Sequence, residues 1–168
     1  SGGGAGIQAD LKTFHQFGVF GTSAVTAVTA QNTTGVHTIH EIPLEVVLAQ
    51  IDAVVSDIRP AAFKTGMLAT NAITVGVANA VRQHKLRGYV MDPVMVATSG
   101  DRLLAPDAEK VMRTHLLPLA TIVTPNMDEA SLLTGRPVGT PAEMGDAARA
   151  LVDQGAGDDH PALHAAGE

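Results

Sequence analysis

Cysteine and tryptophan are both absent from the 168 residues. Without Cys there is no disulfide and no thiolate-held metal, and the chain suits a reducing compartment. Aromatic residues make up only 3% of the chain, so a core has to come from Val, Leu, Ile, Ala and Met. Positive charge is scarce as well. Eleven Lys and Arg stand against seventeen Asp and Glu, for a net charge of -6. No basic cluster occurs, which leaves nucleic acid and anionic membrane surfaces without electrostatic support. The most apolar stretch, 19–30, is interrupted by Thr and too short to span a bilayer. No signal-peptide pattern is visible, and the expectation from these absences is a cytoplasmic protein.

What is present is an ordinary globular balance, 45% apolar and 17% charged, over a length that suits one domain. After the glycine-rich opening 1–6, the residues Ile7, Leu11, Phe14 and Phe17 recur at helical spacing, with Gly18 placed to end the helix. The Val- and Thr-rich run 22–30 predicts a buried strand, and 36–42 a weaker one. Pro43 opens a helix with the stripe Val47, Ile51, Val54, Val55 and Ile58. A short strand is expected at 62–65 and a helix at 71–86 with Ile73, Val77, Ala80 and Val81 on one face. A strand at 88–92 then leads to a loop at 94–105. A helix at 106–116, a strand at 120–124, a helix at 126–133 ended by Gly135, and a helix from Thr140 to about Asp153 complete the series. Strands alternating with helices imply right-handed crossovers and a parallel sheet. Ligands in such sheets sit beyond the carboxyl ends of the strands. The residues to watch there are Gln31-Asn32, Lys64-Thr65-Gly66, Asp92 and Thr124-Pro125-Asn126.

Each of these has a functional and a plain structural reading. The glycine-rich start offers free N–H groups to an anion, yet lacks the Gly-Lys-Ser/Thr ending of a phosphate loop, so a plain loop-to-helix turn is favoured. Asp10 either serves a site or complements the helix dipole. Gln31 carries an amide that donates and accepts at once, which suits an aminopyrimidine edge, or it ends a strand. Met67 and Leu68 form an apolar wall for a flat ring, or simply core. Asp92, at a strand end before Pro93, suits phosphates and Mg²⁺, or a turn. Asn126 and Glu129 suit hydrated Mg²⁺, or form an N-cap with its partner three residues on. The His residues do not fall at metal spacing, apart from His160 and His164 near the C-terminus, and no nucleophilic triad is evident.

The ordered strings Ser1-Gly2-Gly3-Gly4-Ala5-Gly6-Ile7-Gln8-Ala9-Asp10-Leu11-Lys12-Thr13-Phe14 and Thr26-Ala27-Val28-Thr29-Ala30-Gln31-Asn32-Thr33 closely resemble the hydroxymethylpyrimidine/phosphomethylpyrimidine kinases of thiamine biosynthesis. So do Lys64-Thr65-Gly66-Met67-Leu68, Asp92-Pro93-Val94-Met95, Ser99-Gly100 and Thr124-Pro125-Asn126. The resemblance runs from Ser1 to about Ala156 and implies a ribokinase-like α/β fold. That fold has three α/β/α layers around a mainly parallel central sheet, here incomplete at both ends. It implies ATP and Mg²⁺ as cofactors, a small pyrimidine as substrate, no nucleic-acid or membrane partner, and a possible homodimer. Asp10, Gln31, Met67 and Val94 would line the pyrimidine pocket. Asp92, Asn126 and Glu129 would sit by the ATP phosphates, with Asp92 and Glu129 acting on Mg²⁺ indirectly. The γ-phosphoryl of ATP would pass to 4-amino-5-hydroxymethyl-2-methylpyrimidine and then, in a second transfer, to its monophosphate.

The chain also departs from that family. The family's opening strand, its Lys-Gly-Gly strand and its later Gly-Thr-Gly-Cys loop do not occur, so no catalytic Cys is present. Residues 157–168 do not resemble the family. The expectation is a partial kinase domain at 1–156, a frame change or early end near 155–157, and a disordered tail with no catalytic turnover by the chain alone. Two alternatives stay open: a related pyridoxal-type vitamin kinase, and a catalytically dead pyrimidine-binding protein.

Overall fold

The chain divides into a part that packs around one core and a part that does not. In the structure, a computed structural model, residues 2–95 and 107–157 are described. The expected loop at 94–105, with Ser99-Gly100, lies almost wholly outside the described residues, as does the tail beyond Gly157 with His160 and His164.

The packed part is built on three short parallel strands in the order β3 (Phe63–Thr65), β4 (Tyr89–Met91), β5 (Ile122–Val123). Five helices serve it: α2 (Leu44–Asp57), α3 (Asn71–His84), α4 (Ala108–His115), α5 (Met127–Thr134) and α6 (Pro141–Asp153). The stripe expected on α3 is realised, since Ile73, Val77, Ala80 and Val81 are all buried. Burying one such aliphatic side chain is worth roughly 1.5–3 kcal/mol, so this face fixes where the helix lies. Of the α2 stripe only Val47 is fully buried, and Ile58 is exposed beyond the helix end. Val47, Tyr89, Met91, Leu117, Val123, Leu133 and Leu151 join α3 in one continuous core.

Strand alternation gives the sheet two unlike faces. Phe63, Thr65, Tyr89 and Met91 share the face that joins the core. The rings of Phe63 and Tyr89 stack with centroids 4.6 Å apart and planes 3° apart. The hydroxyls of Thr65 and Tyr89 are 2.7 Å apart within the core. Burial pushes the Tyr89 phenol up in pKa, and the bond to Thr65 offsets this in part. Lys64, between Phe63 and Thr65, belongs to the opposite face.

The other part precedes this sheet. Helix α1 (Ile7–Gln16) forms where the periodicity placed it, and Gly18 follows it at φ 69°. No α1 residue is buried, however, and Phe17 is left exposed. The expected buried strand at 22–30 is corrected. Strand β1 runs Ala27–Asn32, pairs antiparallel with β2 (Gly35–Glu41), and both are largely exposed. A Val- and Thr-rich run favours extended backbone in either setting, and a two-stranded ribbon cannot bury both its faces. Asn32 closes the turn by accepting from the Thr34 N–H at 2.9 Å and the Thr34 hydroxyl at 2.6 Å.

Two polar links fasten this ribbon to the rest. The Thr26 hydroxyl donates to the Met67 carbonyl at 2.8 Å. The Gln50 amide accepts from the Val25 N–H at 2.8 Å and donates to the Val25 carbonyl at 3.0 Å. At the far end, Ala156 is buried and the Gly157 N–H donates to the Ala120 carbonyl at 2.8 Å, so the chain returns beside β5 after α6. No helix among the described residues is long and apolar enough to cross a membrane.

Candidate functional site

The carboxyl ends of the three parallel strands are bonded side by side. The Asp92 N–H donates to the Thr65 carbonyl at 3.1 Å, and the Thr124 N–H to the Met91 carbonyl at 3.0 Å. This places Lys64-Thr65-Gly66, Asp92 and Thr124-Pro125-Asn126 on one edge of the sheet, as the strand-end argument required.

Lys64 organises that edge. Its ammonium lies 3.1 Å from Asp92 Oδ2 and 3.3 Å from Asp10 Oδ2. Burial alone would lower its pKa. The charges and hydrogen bonds of Asp92 and Asp10 outweigh this, and the ammonium is held above its ordinary range. Among the described residues it is the one Lys or Arg that is not exposed. Sequence reasoning picked out its tripeptide but gave Lys64 no role. Its partners are 54 and 28 positions away, and the only available signal was a cation inside a strand that enters a core.

Beyond Asp92 the chain turns at Pro93, and the Val94 N–H donates back to the Asp92 carbonyl at 2.9 Å. Met95 is buried, and its N–H donates to Glu129 Oε1 at 3.2 Å. Glu129 Oε2 accepts from the Asn126 N–H at 3.0 Å, while Asn126 Oδ1 accepts from the Glu129 N–H at 2.9 Å. The capping arrangement is therefore realised in full. Glu129 also ties the start of α5 to the segment after β4. Burial raises its pKa, the two backbone donors lower it, and the nearby charge of Asp92 raises it further; the net shift is upward.

The sequence-expected residues are thus brought together unequally. Asp10, Asp92, Val94, Glu129 and Asn126 stand on one connected path through Lys64 and Met95. Met67 follows Lys64 by three positions, and its carbonyl accepts from the Thr26 hydroxyl just before β1 rather than from any member of that path. Gln31 lies on the exposed ribbon at the irregularity between Ala30 and Gln31, and its backbone carbonyl accepts from the Gly2 N–H at 3.0 Å. Leu68 is core. An open groove of about 490 Å³ lined by Asp128, Ser131, Leu132, Gly135, Arg136 and Pro137 holds none of these residues.

The donor set bears on Mg²⁺. Among the described residues no three His, Asp or Glu side chains converge as a metal cage. Hydrated Mg²⁺ instead takes one or two carboxylates and keeps waters. Asp92, about 29% exposed, fits that demand. Glu129 fits a direct role less well, because it is 4% exposed and each of its oxygens already accepts a backbone N–H.

Comparison with known proteins adds to this geometry. The sequence profile described as phosphomethylpyrimidine kinase matches residues 1–158. The hydroxymethylpyrimidine/phosphomethylpyrimidine kinase of Rhizobium meliloti (strain 1021) is 52% identical over 157 residues, covering 93% of this chain and 59% of that protein. The chain therefore spans somewhat over half the length of that relative. The crystal structure of phosphomethylpyrimidine kinase from Clostridium difficile 630 superposes with a TM-score of 0.85 at 37% identity, over 99% of this chain and 72% of that one. A pyridoxal kinase from Staphylococcus aureus, solved with AMP-PCP and pyridoxal, gives a TM-score of 0.81 at 36% identity, over 92% of this chain and 55% of that one. With its ribokinase-like α/β fold and a profile match across nearly its whole length, the chain belongs to the phosphomethylpyrimidine kinase family.

Proposed function

We propose that this chain provides the acceptor pocket and the phosphate side of an ATP-dependent kinase acting on 4-amino-5-hydroxymethyl-2-methylpyrimidine and on its monophosphate. The observation that carries this reading is the connected polar path at the strand ends, from Asp10 through Lys64 and Asp92 to Glu129 and Asn126. Asp10, Gln31, Met67 and Val94 line the pyrimidine. Asp92 would hold Mg²⁺ through the ion's water shell, and the ion would supply charge neutralisation to ATP phosphates. Asn126 spends its amide oxygen on the cap, and its amide nitrogen is a donor suited to a phosphate oxygen. Glu129 serves by fixing Asn126 and Met95. Phosphoryl transfer is mostly positioning and neutralisation, which such a path supplies.

Residues 1–156 form the kinase-type unit. No Cys and no Gly-Thr-Gly-Cys string occurs among the 168 residues, so we assign them binding without efficient transfer. Each missing oxyanion donor typically costs on the order of 10²–10³ in rate. Exposed Phe17, Val19 and Phe20 support self-association into a dimer.

Isothermal titration tests the reading. The expected result is binding of the hydroxymethylpyrimidine in preference to pyridoxal, and loss of at least tenfold in affinity on Asp10→Asn. Preference for pyridoxal would move the chain to the pyridoxal-type kinases, whose solved structures it also superposes on. Pyrimidine binding without any ATP binding would point to the catalytically dead protein.

A further inference from the structure

Two phosphoryl transfers to successive acceptors pose an electrostatic problem that the Lys64 site bears on. The first acceptor is neutral at the reacting arm. The second already carries a phosphate, and it has to approach an edge where Asp10 and Asp92 both stand. Resting on the reading above, we propose that Lys64 is the specificity-determining residue that admits the phosphorylated acceptor, its ammonium holding that acceptor's phosphate during the second transfer.

Three observations carry this. Lys64 is the one Lys or Arg among the described residues that is not exposed, and it stands at the strand-end edge itself. Its ammonium bridges Asp10, on the acceptor side, and Asp92, on the phosphate side, at 3.3 and 3.1 Å. It is therefore set between the two groups an incoming phosphate has to pass. The three side chains retain 27, 31 and 29% exposure, so the trio as a whole is open to solution. Gly66 stands beside it: a side chain there would begin 3.5 Å from the ammonium, and the glycine leaves that space open. One cation against two carboxylates leaves the trio at -1. A phosphate joining that trio gains from Lys64 and is repelled by both carboxylates, whereas a neutral alcohol is indifferent to the balance.

The test measures affinity for the alcohol and for its monophosphate by titration calorimetry, in the unmodified chain and in Lys64→Gln and Lys64→Arg. A charge-assisted hydrogen bond of this kind corresponds to about 10–100-fold in affinity. Lys64→Gln is expected to lower monophosphate affinity by that factor relative to the alcohol, and Lys64→Arg to restore most of the ratio. An equal fall for both ligands would overturn the proposal and leave Lys64 a positioning residue for Asp10 and Asp92. If Lys64→Gln does not fold, the ¹⁵N resonance of the Lys64 ammonium in the unmodified chain decides instead. A shift with the monophosphate but not the alcohol supports the proposal, and no difference overturns it. Failure of the unmodified chain to bind either pyrimidine would show that the functional reading itself is wrong, and the inference falls with it.

Discussion

The part around β3, β4 and β5 and the part formed by α1 with the β1–β2 ribbon are built on opposite terms. The first buries Met91, Leu117, Val123, Leu133 and Leu151 almost completely. The second fully buries no side chain of α1 and leaves most of both ribbon strands exposed. The first is held by apolar area, the second by individual polar links such as Asp10 to Lys64 and Thr26 to Met67. Stability thus resides in one part, while half of the expected acceptor pocket resides in the other. Parts of low local stability are where binding elements are commonly found.

Substitutions sharpen this contrast. The largest effect is expected in the core. Leu133 has no exposed surface, and Leu133→Ala should lower unfolding free energy by about 2–5 kcal/mol in a denaturant titration. Glu129→Ala comes next. It removes the cap partner and strips two backbone donors, Asn126 N–H and Met95 N–H, of their acceptor, at a cost of about 2–3 kcal/mol.

The same residue gives a pH signature. Its folded pKa is raised, so its contribution is fully present below the ordinary Glu value of about 4.3 and is lost as pH rises through the folded value. Unfolding measured across that window should show this downward term in the parent and lack it in Glu129→Ala. The smallest stability effect belongs to the other part. Asp10→Asn breaks a pair that is about 30% exposed, and should change unfolding by no more than about 1 kcal/mol, within the range of exposed ion pairs. Its effect should appear in pyrimidine affinity instead. A loss at Asp10 as large as that at Leu133 would erase the distinction between the two parts.

Local chemistry made much of the packed part legible. The α3 stripe and the Asn126–Glu129 and Thr140–Pro141 helix starts depend on residues within a few positions of each other, and all formed as read. The strand-end rule also gathered Asp92 and Asn126 correctly on one edge. What sequence could not reveal was burial outside the core. The run 22–30 reads as strand whether or not a layer covers it, and nothing nearby shows that its residues end half-buried or exposed and none fully buried. The Ile7–Phe17 spacing likewise specifies a helix without specifying a partner for its apolar side. Lys64 escaped for a different reason, since its importance lies in carboxylates that only the fold brings near.

The Gln50 amide presents to Val25 the same donor and acceptor that a neighbouring strand's peptide group would present. Extended backbone with free N–H and C=O groups is a template on which foreign strands can add. At Val25 that template is already filled, by a side chain that has no next residue to propagate the ladder. A glutamine on α2 therefore works as a chain terminator for sheet growth at the stretch that leads into the β1–β2 ribbon.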